Sequence, residues 1–244
     1  MPSTDPTIIS GTKRLAVGHS IYDYWLPGYR GVDAATGDAL YELDPSLTYD
    51  EGPYFDYPDK TINGKKYTTV IGRAKYDYQG SAIPKVYGSI RNNIDYKKFS
   101  FSFICSYQIG GLTYDAVYAG LMSPQFGYAM AADLKNSWHN VGDQTNIPRL
   151  DYGRSGDLYA SSSRWLTSAT SLTINNINVG YTLDQKLLRR AGLKVGGVQA
   201  NLTLENVYQF SARTGMNVLQ SFNGVTSDGF IPRRAVTMGV IVNM

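Results

Sequence analysis

From Phe99 to Ile109 the side chains alternate, with Phe99, Phe101, Phe103, Cys105, Tyr107 and Ile109 at odd positions and Ser100, Ser102, Ile104, Ser106 and Gln108 between them. A period of two puts the odd set on one face of a β-strand and the even set on the other. Eleven residues is about twice the common strand length. A chain that keeps one apolar and one mostly polar face over that distance builds a sheet whose two sides meet different surroundings. The feature recurs. Val86, Gly88, Ile90, Asn92, Ile94 and Tyr96 alternate with Tyr87, Ser89, Arg91, Asn93 and Asp95, and Lys97-Lys98 joins this run to the first as a tight hairpin. Val198 to Phe210 sets Val198, Ala200, Leu202, Leu204, Tyr208 and Phe210 against Gln199, Asn201, Thr203, Glu205 and Gln209. Arg234 to Met244 sets Val236, Met238, Val240, Val242 and Met244 against Thr237, Gly239, Ile241 and Asn243. In Leu172 to Leu183 the apolar residues change parity between Ile174 and Ile177, which predicts a β-bulge. A weaker strand is expected from Arg14 to Trp25.

The connections sort by length. Residues 26–83, 113–169 and 211–232 are long links, whereas Lys97-Lys98 and 184–197 are short, and the two kinds alternate along the chain. One end of the sheet therefore carries large loops and the other turns, the asymmetry of outer-membrane barrels with long extracellular loops and short periplasmic turns. The faces fit that class. Phe, Tyr, Ile, Val and Leu suit hydrocarbon, while Arg91, Asn93, Asp95, Asn201 and Glu205 would be costly in a dry core and are comfortable in a watery lumen. The expectation is an all-β chain, an antiparallel transmembrane β-barrel segment of about 6–8 long strands. The roughly six strands legible in the pattern fall short of the roughly eight of the smallest closed barrels. The start, Met1-Pro-Ser-Thr-Asp-Pro, lacks the basic and apolar stretches of an export signal, so residues 1–244 are expected to be the C-terminal portion of a longer protein. The alternative is a soluble all-β module, such as a carbohydrate-binding sandwich, with the apolar faces closed into one core.

Composition removes other classes. Charged residues make up 18% and tyrosine 20 of 244 positions, and no apolar run is long enough for a spanning helix. One cysteine, Cys105, with His19 and His139 makes no zinc set. A net charge of +3, spread without a basic cluster along the chain, argues against nucleic acid. No nucleophile context accompanies either histidine, so no reaction is expected. The acidic group Asp50, Glu51, Asp56 and Asp59 reads as a solvated loop rather than a calcium site, because its spacing fits no calcium loop. Short helices are expected at Phe126 to Trp138 and Gln185 to Ala191.

Several motifs follow in order: Gly31-Val-Asp-Ala-Ala-Thr-Gly-Asp-Ala-Leu-Tyr41, Gly80-Ser-Ala-Ile-Pro-Lys-Val-Tyr-Gly88, and Ser106-Tyr-Gln-Ile-Gly-Gly-Leu-Thr-Tyr-Asp115. Then come Trp138-His-Asn-Val-Gly-Asp-Gln-Thr-Asn-Ile-Pro-Arg-Leu150, Ser162-Ser-Arg-Trp-Leu166, Asn178-Val-Gly-Tyr-Thr-Leu183, Glu205-Asn206 and Pro232-Arg233. Together they resemble the C-terminal part of SusC/RagA-type TonB-linked outer-membrane transporters, over nearly the whole chain from about Val17. Thr237, Gly239, Val242 and Met244 have the spacing of the closing-strand signal read by the outer-membrane assembly machinery. Met244 stands where the family usually has Phe, Asp184 replaces a Pro, and Gly215-Met-Asn217 lacks a following Pro-Glu.

The resemblance implies nutrient uptake across the outer membrane of a Gram-negative bacterium, with import of glycans or oligopeptides driven through TonB. It implies a SusD-like surface lipoprotein as partner, outer-membrane lipid around the barrel, and no cofactor. Trp138, Tyr152, Tyr159 and Trp165 become candidates for stacking on substrate or touching the lipoprotein lid; the competing reading is that they pack the loops together or join the interfacial aromatic belt. Arg91, Asn93, Asp95, Asn201 and Glu205 become candidate lumen-facing residues, with hydrogen bonding along the wall as the competing role.

Overall fold

The structure is a computed structural model that describes residues 8–47, 57, 59–125, 127–192, 195–219, 223–229 and 232–243. The chain divides into two compact units, one from segments 1–83, 112–167 and 221–228, the other from 84–111, 168–220 and 229–244.

The second unit is a wall of five long strands: β1 (Val86–Tyr96), β2 (Phe99–Ile109), β3 (Ser171–Thr182), β4 (Gly197–Phe210) and β5 (Ala235–Asn243). They pair antiparallel in the order β5-β4-β3-β2-β1. Among the described residues the sheet stays open, with β1 and β5 as its edges, and closes no barrel. Register shows why the alternation matters. Ile94, Phe101, Val179, Leu202 and Met238 lie opposite one another across all five strands, as do Tyr96, Phe99, Tyr181, Ala200 and Val240. The rows between them read Asn93, Ser102, Asn178, Thr203, Thr237 and Asp95, Ser100, Gly180, Asn201, Gly239. Paired residues in antiparallel strands share a face, so the sheet is mainly apolar on one side and mainly polar on the other.

The predicted bulge is present: Asn175 is left out of the pairing of β3 with both neighbours. It restores parity, so that Ile174 and Leu172 rejoin the apolar face beside Tyr208 and Phe210. Asn206, with φ of 51°, sits in the matching irregularity of β4. β4 runs on through Glu205-Asn206 to Phe210, as the alternation predicts. Lys97 makes the β1–β2 turn at φ 56°, a conformation most side chains avoid. Gly180 is required by close packing on the polar face, where a Cβ would press on the Ser100 hydroxyl and the Asn201 amide.

The first unit, formed largely from the long connections, has strands and a core of its own. Its described residues form four-stranded sheets from Ile8–Ser10, Lys13–Leu15, Asp23–Pro27 and Tyr76–Ser81, and from Tyr29–Val32, Ala39–Glu42, Lys65–Thr68 and Lys60–Ile62. A two-stranded ribbon joins Leu112–Tyr114 to Leu166–Ser168. Its core holds Tyr24, Leu26, Tyr41, Tyr114, Met122, Leu134, Leu158, Tyr159 and Trp165. The strand expected from Arg14 to Trp25 breaks in two because a turn intervenes; Ser20 and Asp23 satisfy each other there, the Ser20 N–H donating to the Asp23 carboxylate. Five strands are thus long among the described residues, fewer than the 6–8 expected, although the antiparallel barrel-segment class stands.

The helix at Gln185–Arg190 forms as expected. The expected helix across Phe126 to Trp138 reduces to a single 3-10 turn at Ala132–Asn136, with Phe126 outside the described residues. An α-helix forms instead at Ala116–Met122, where the Asp115 carboxylate accepts from the Tyr118 N–H and caps its first turn.

Candidate functional site

Arg91, Asn93, Asp95, Asn201 and Glu205 all fall on the polar face. Arg91 shares a row with Ile104, Asn176 and Glu205, and the other three lie in the rows given above. The face is partly knitted to itself: the Asn178 amide donates to Thr203 Oγ1 at 2.8 Å, and the Ser106 hydroxyl to Asn175 Oδ1 at 2.9 Å. Arg91, Asn93, Asp95 and Glu205 remain exposed. Such a face offers hydrogen bonds and charge of both signs. No group of three or more His, Cys, Asp or Glu among the described residues has a metal-binding arrangement.

At the loop end of the wall, where β4 runs out into residues 211–219, a groove of about 710 Å³ opens. Thr173, Asn175, Asn206, Tyr208, Gln209 and Met216 are among its walls. Thr173 Oγ1 and Gln209 Nε2 are buried there without a hydrogen-bond partner in the structure. They come from directly paired residues of β3 and β4, so register alone brings them together. Sequence reading missed this groove because 211–219 carries no periodic signal.

The other candidates lie in the first unit, where three of the sequence motifs meet. Gly37 turns at φ 73°, and the Trp138 indole lies where a Cβ would stand, so only glycine fits. Trp138 Nε1 donates to the Ala34 carbonyl at 3.0 Å, and the Arg149 N–H to Gly37 O at 2.9 Å. Asp38, buried, accepts from Arg154 Nη1 at 2.9 Å, Arg149 Nε at 3.2 Å and Thr36 Oγ1 at 3.0 Å. Arg154 continues to the Thr69 carbonyl at 3.0 Å and the Asp157 carboxylate at 3.6 Å, with its guanidinium 3.9 Å from the Tyr57 ring. The third motif joins through Ser163, whose hydroxyl accepts from the Tyr29 N–H at 2.9 Å. These motifs make a clasp that orders long connections.

That placement decides what the aromatics can reach. Trp165 and Tyr159 are only 3% and 6% exposed; Trp165 Nε1 donates to Ala160 O and the Tyr159 hydroxyl to Pro148 O. The Arg164 guanidinium lies 4.5 Å from the Trp165 ring and 5.4 Å from those of Tyr159 and Tyr29. Burial pushes the Tyr159 and Tyr29 phenols up to about 12, against the pull of the Arg164 charge, so both stay protonated donors. Trp138 is half-buried, and Tyr152 alone of the four stands open, 70% exposed. His19 stacks on Tyr78 with ring centroids 3.6 Å apart. His139 instead sits in a turn whose backbone N–H donates to Asp143. Asp59 is engaged by Arg73 through two bonds of 2.6 and 3.0 Å, while Asp50, Glu51 and Asp56 lie outside the described residues. Of the assembly-signal residues, Thr237 and Gly239 lie on the polar face, Val242 on the apolar face, and Met244 outside the described residues.

No model of a known protein family matches the chain. In sequence it is 27% identical over 161 residues to TonB-dependent receptor P39 of Formosa agariphila, covering 65% of this chain and 15% of that protein. To TonB-dependent receptor P3 of the same organism it is 23% identical over 207 residues, covering 84% of this chain and 19% of the relative. The chain thus spans less than a fifth of the length of these relatives. In fold it is similar to the RagAB peptide transporter, with a TM-score of 0.72 at 17% identity over 98% of this chain and 24% of that one. The RagAB peptide importer in its closed-closed state gives 0.67 at 16% identity, over 99% and 25%. The chain, an open wall apolar on one face with a clasp among its long connections, is thus similar in sequence to TonB-dependent receptors and has the fold of a part of the RagAB transporter.

Proposed function

We propose that the five-stranded wall is part of an importer barrel in the outer membrane of a Gram-negative bacterium, with its polar face toward the lumen and its apolar face toward lipid. The uptake is TonB-dependent, the cargo a glycan or an oligopeptide, and a SusD-like surface lipoprotein the partner. The polar wall and its groove guide solute and carry out no reaction.

The observation that carries this reading is the exposure of the apolar face: Phe99 is 55% exposed, Val240 68% and Met238 82%. A soluble sandwich would bury those side chains against a second sheet. Strand length agrees. At about 3.3 Å per residue, eleven residues tilted by roughly 40° rise about 28 Å, close to the ~25 Å apolar band of such barrels.

The test places single cysteines, in a Cys105→Ser background of the protein as it occurs in the cell, at Met238 and Val179 and at Thr237 and Asn178. A membrane-permeant, lipid-soluble maleimide is expected to label the first pair, and a water-soluble one the second. Equal labelling of all four by the water-soluble reagent refutes the reading. Co-purification of a surface lipoprotein, and TonB-dependent uptake of labelled oligosaccharide or oligopeptide, test partner and cargo separately.

A further inference from the structure

The even spread of charge expected from the sequence does not survive folding. The segments forming the wall unit hold eleven Lys and Arg against three acids, Asp95, Asp184 and Glu205. Five of those cations gather at the end of the wall that carries the turns: Lys97 and Lys98 in the β1–β2 hairpin, and Lys186, Arg189 and Arg190 in the helix of the β3–β4 connection. The two connections are tied. The Thr182 N–H donates to Lys98 O at 2.8 Å, and Lys98 Nζ to Asp184 Oδ2 at 2.5 Å. Asp184 in turn caps the helix through the Lys186 N–H at 3.0 Å, and the Gln185 amide closes the connection onto Gly196 O. Lys97, Lys186, Arg189 and Arg190 are exposed, and no ion pair among the described residues engages them. Asp184 is thus spent on Lys98 and leaves the rest of the cluster uncompensated.

What lies next to the cluster says what covers it. At this end the apolar face finishes in an aromatic row, Tyr96, Phe99 and Tyr181, with the Phe99 and Tyr181 rings 4.7 Å apart and Lys97 Nζ 5.2 Å from the Tyr96 ring. Aliphatic side chains, then aromatic rings, then cations succeed one another along the strands. A phospholipid presents the matching order of tails, ester region and phosphate, and basic side chains beside a membrane surface attract anionic lipids. We propose that the turn end of the wall is a binding surface for anionic phospholipid headgroups in the leaflet it faces. This rests on the reading of the wall as membrane-spanning.

The test uses the full protein in nanodiscs of phosphatidylethanolamine with about one fifth phosphatidylglycerol. After gentle re-extraction and chromatography, the lipid that stays bound is quantified by mass spectrometry. The wild type is expected to retain phosphatidylglycerol over phosphatidylethanolamine at about five times the bulk ratio at low salt, the effect of one basic side chain near an anionic surface. That excess is expected to vanish in about 0.5 M NaCl and in the variant Lys97→Gln, Lys186→Gln, Arg189→Gln, Arg190→Gln, which spares the Lys98–Asp184 tie. A control replacing Lys65, Lys66 and Lys135 by Gln is expected to keep it. Both lipids retained at the bulk ratio by wild type, or an excess unchanged in the fourfold variant, overturns the proposal while leaving the membrane reading standing. A protein that is monodisperse without detergent and holds neither lipid overturns both.

Discussion

Asp38→Ala tests whether the clasp holds the loop unit together. Asp38 is 7% exposed and accepts from two guanidinium groups, of which Arg154 is itself buried and Arg149 about one third exposed. Removing the carboxylate leaves Arg154 with the Thr69 carbonyl and a 3.6 Å contact to Asp157, while its Nε already lacks a partner. Breaking a buried pair from one side costs about 3–5 kcal/mol, whereas the more solvated Arg149 contributes about 1 kcal/mol or less. A loss of about 3–4 kcal/mol follows. With a urea dependence of roughly 2 kcal/mol per molar, the unfolding midpoint falls by about 1.5–2 M. The chain supplies its own probe, because Trp25, Trp138 and Trp165, its three tryptophans, all fall in the segments of the loop unit. Tryptophan fluorescence in detergent micelles therefore follows that unit and is silent on the wall. Asp77→Ala, which removes an exposed partner of Lys75, is the control and is expected to leave the midpoint in place. A shift below about 0.25 M for Asp38→Ala, which is roughly 0.5 kcal/mol, refutes the clasp as the element that orders these connections.

On the wall, Gly180→Val forces a side chain against Ser100, Asn201 and Gln199 and is expected to cost about 1–3 kcal/mol, read as a smaller folded fraction by heat-dependent gel mobility. Gly197→Ala, whose Cβ meets nothing nearer than 3.9 Å, should behave as wild type; equal behaviour of the two variants sinks the packing argument. In the loop unit, burial alone would raise the Asp33 carboxyl, but the Ala35 N–H, the Thr36 hydroxyl and the Lys60 ammonium outweigh it and hold the group below the ordinary carboxylate range. A depressed folded value means a stabilisation that is complete above the unfolded pKa of about 3.9 and is lost as pH falls through the folded value. Fluorescence-monitored stability is therefore expected to drop below about pH 4, with a shallower drop in Asp33→Asn; identical acid limbs in the two proteins contradict the assignment.

The wall was legible because its determinants are local and periodic. Phe101 and Ser102 declare their faces through their own neighbours, and the parity change between Ile174 and Ile177 marks the bulge that falls at Asn175. The loop unit was not, since its order comes from contacts without a period. Asp38 and Arg154 stand 116 residues apart, and neither flanking sequence predicts the other. Nothing in the sequence around Tyr24 and Tyr41 marks them as core, yet both are fully buried, their hydroxyls donating to the carbonyls of Gly224 and Asp157. The quoted motifs were visible as letters; that Gly37 exists to admit the Trp138 ring became visible only in three dimensions. The aromatic candidates divide for the same reason, because composition counts rings and says nothing about which of them end up facing inward.

The open edges of the sheet reach beyond this chain. A β-edge is a template: the outward amides and carbonyls of β1 fix the spacing of any strand that docks there, and its side chains fix that strand's spelling. Opposite Ile90 and Ile94 the newcomer needs hydrocarbon, opposite Arg91 and Asp95 it needs partners for charge, and beside Gly88, where the Tyr107 ring leans in, it needs little bulk. A slip by one residue would invert all of these at once. The neighbouring strand is thus already half written in β1, and a synthetic peptide composed to that rule is a reagent for blocking or completing the seam.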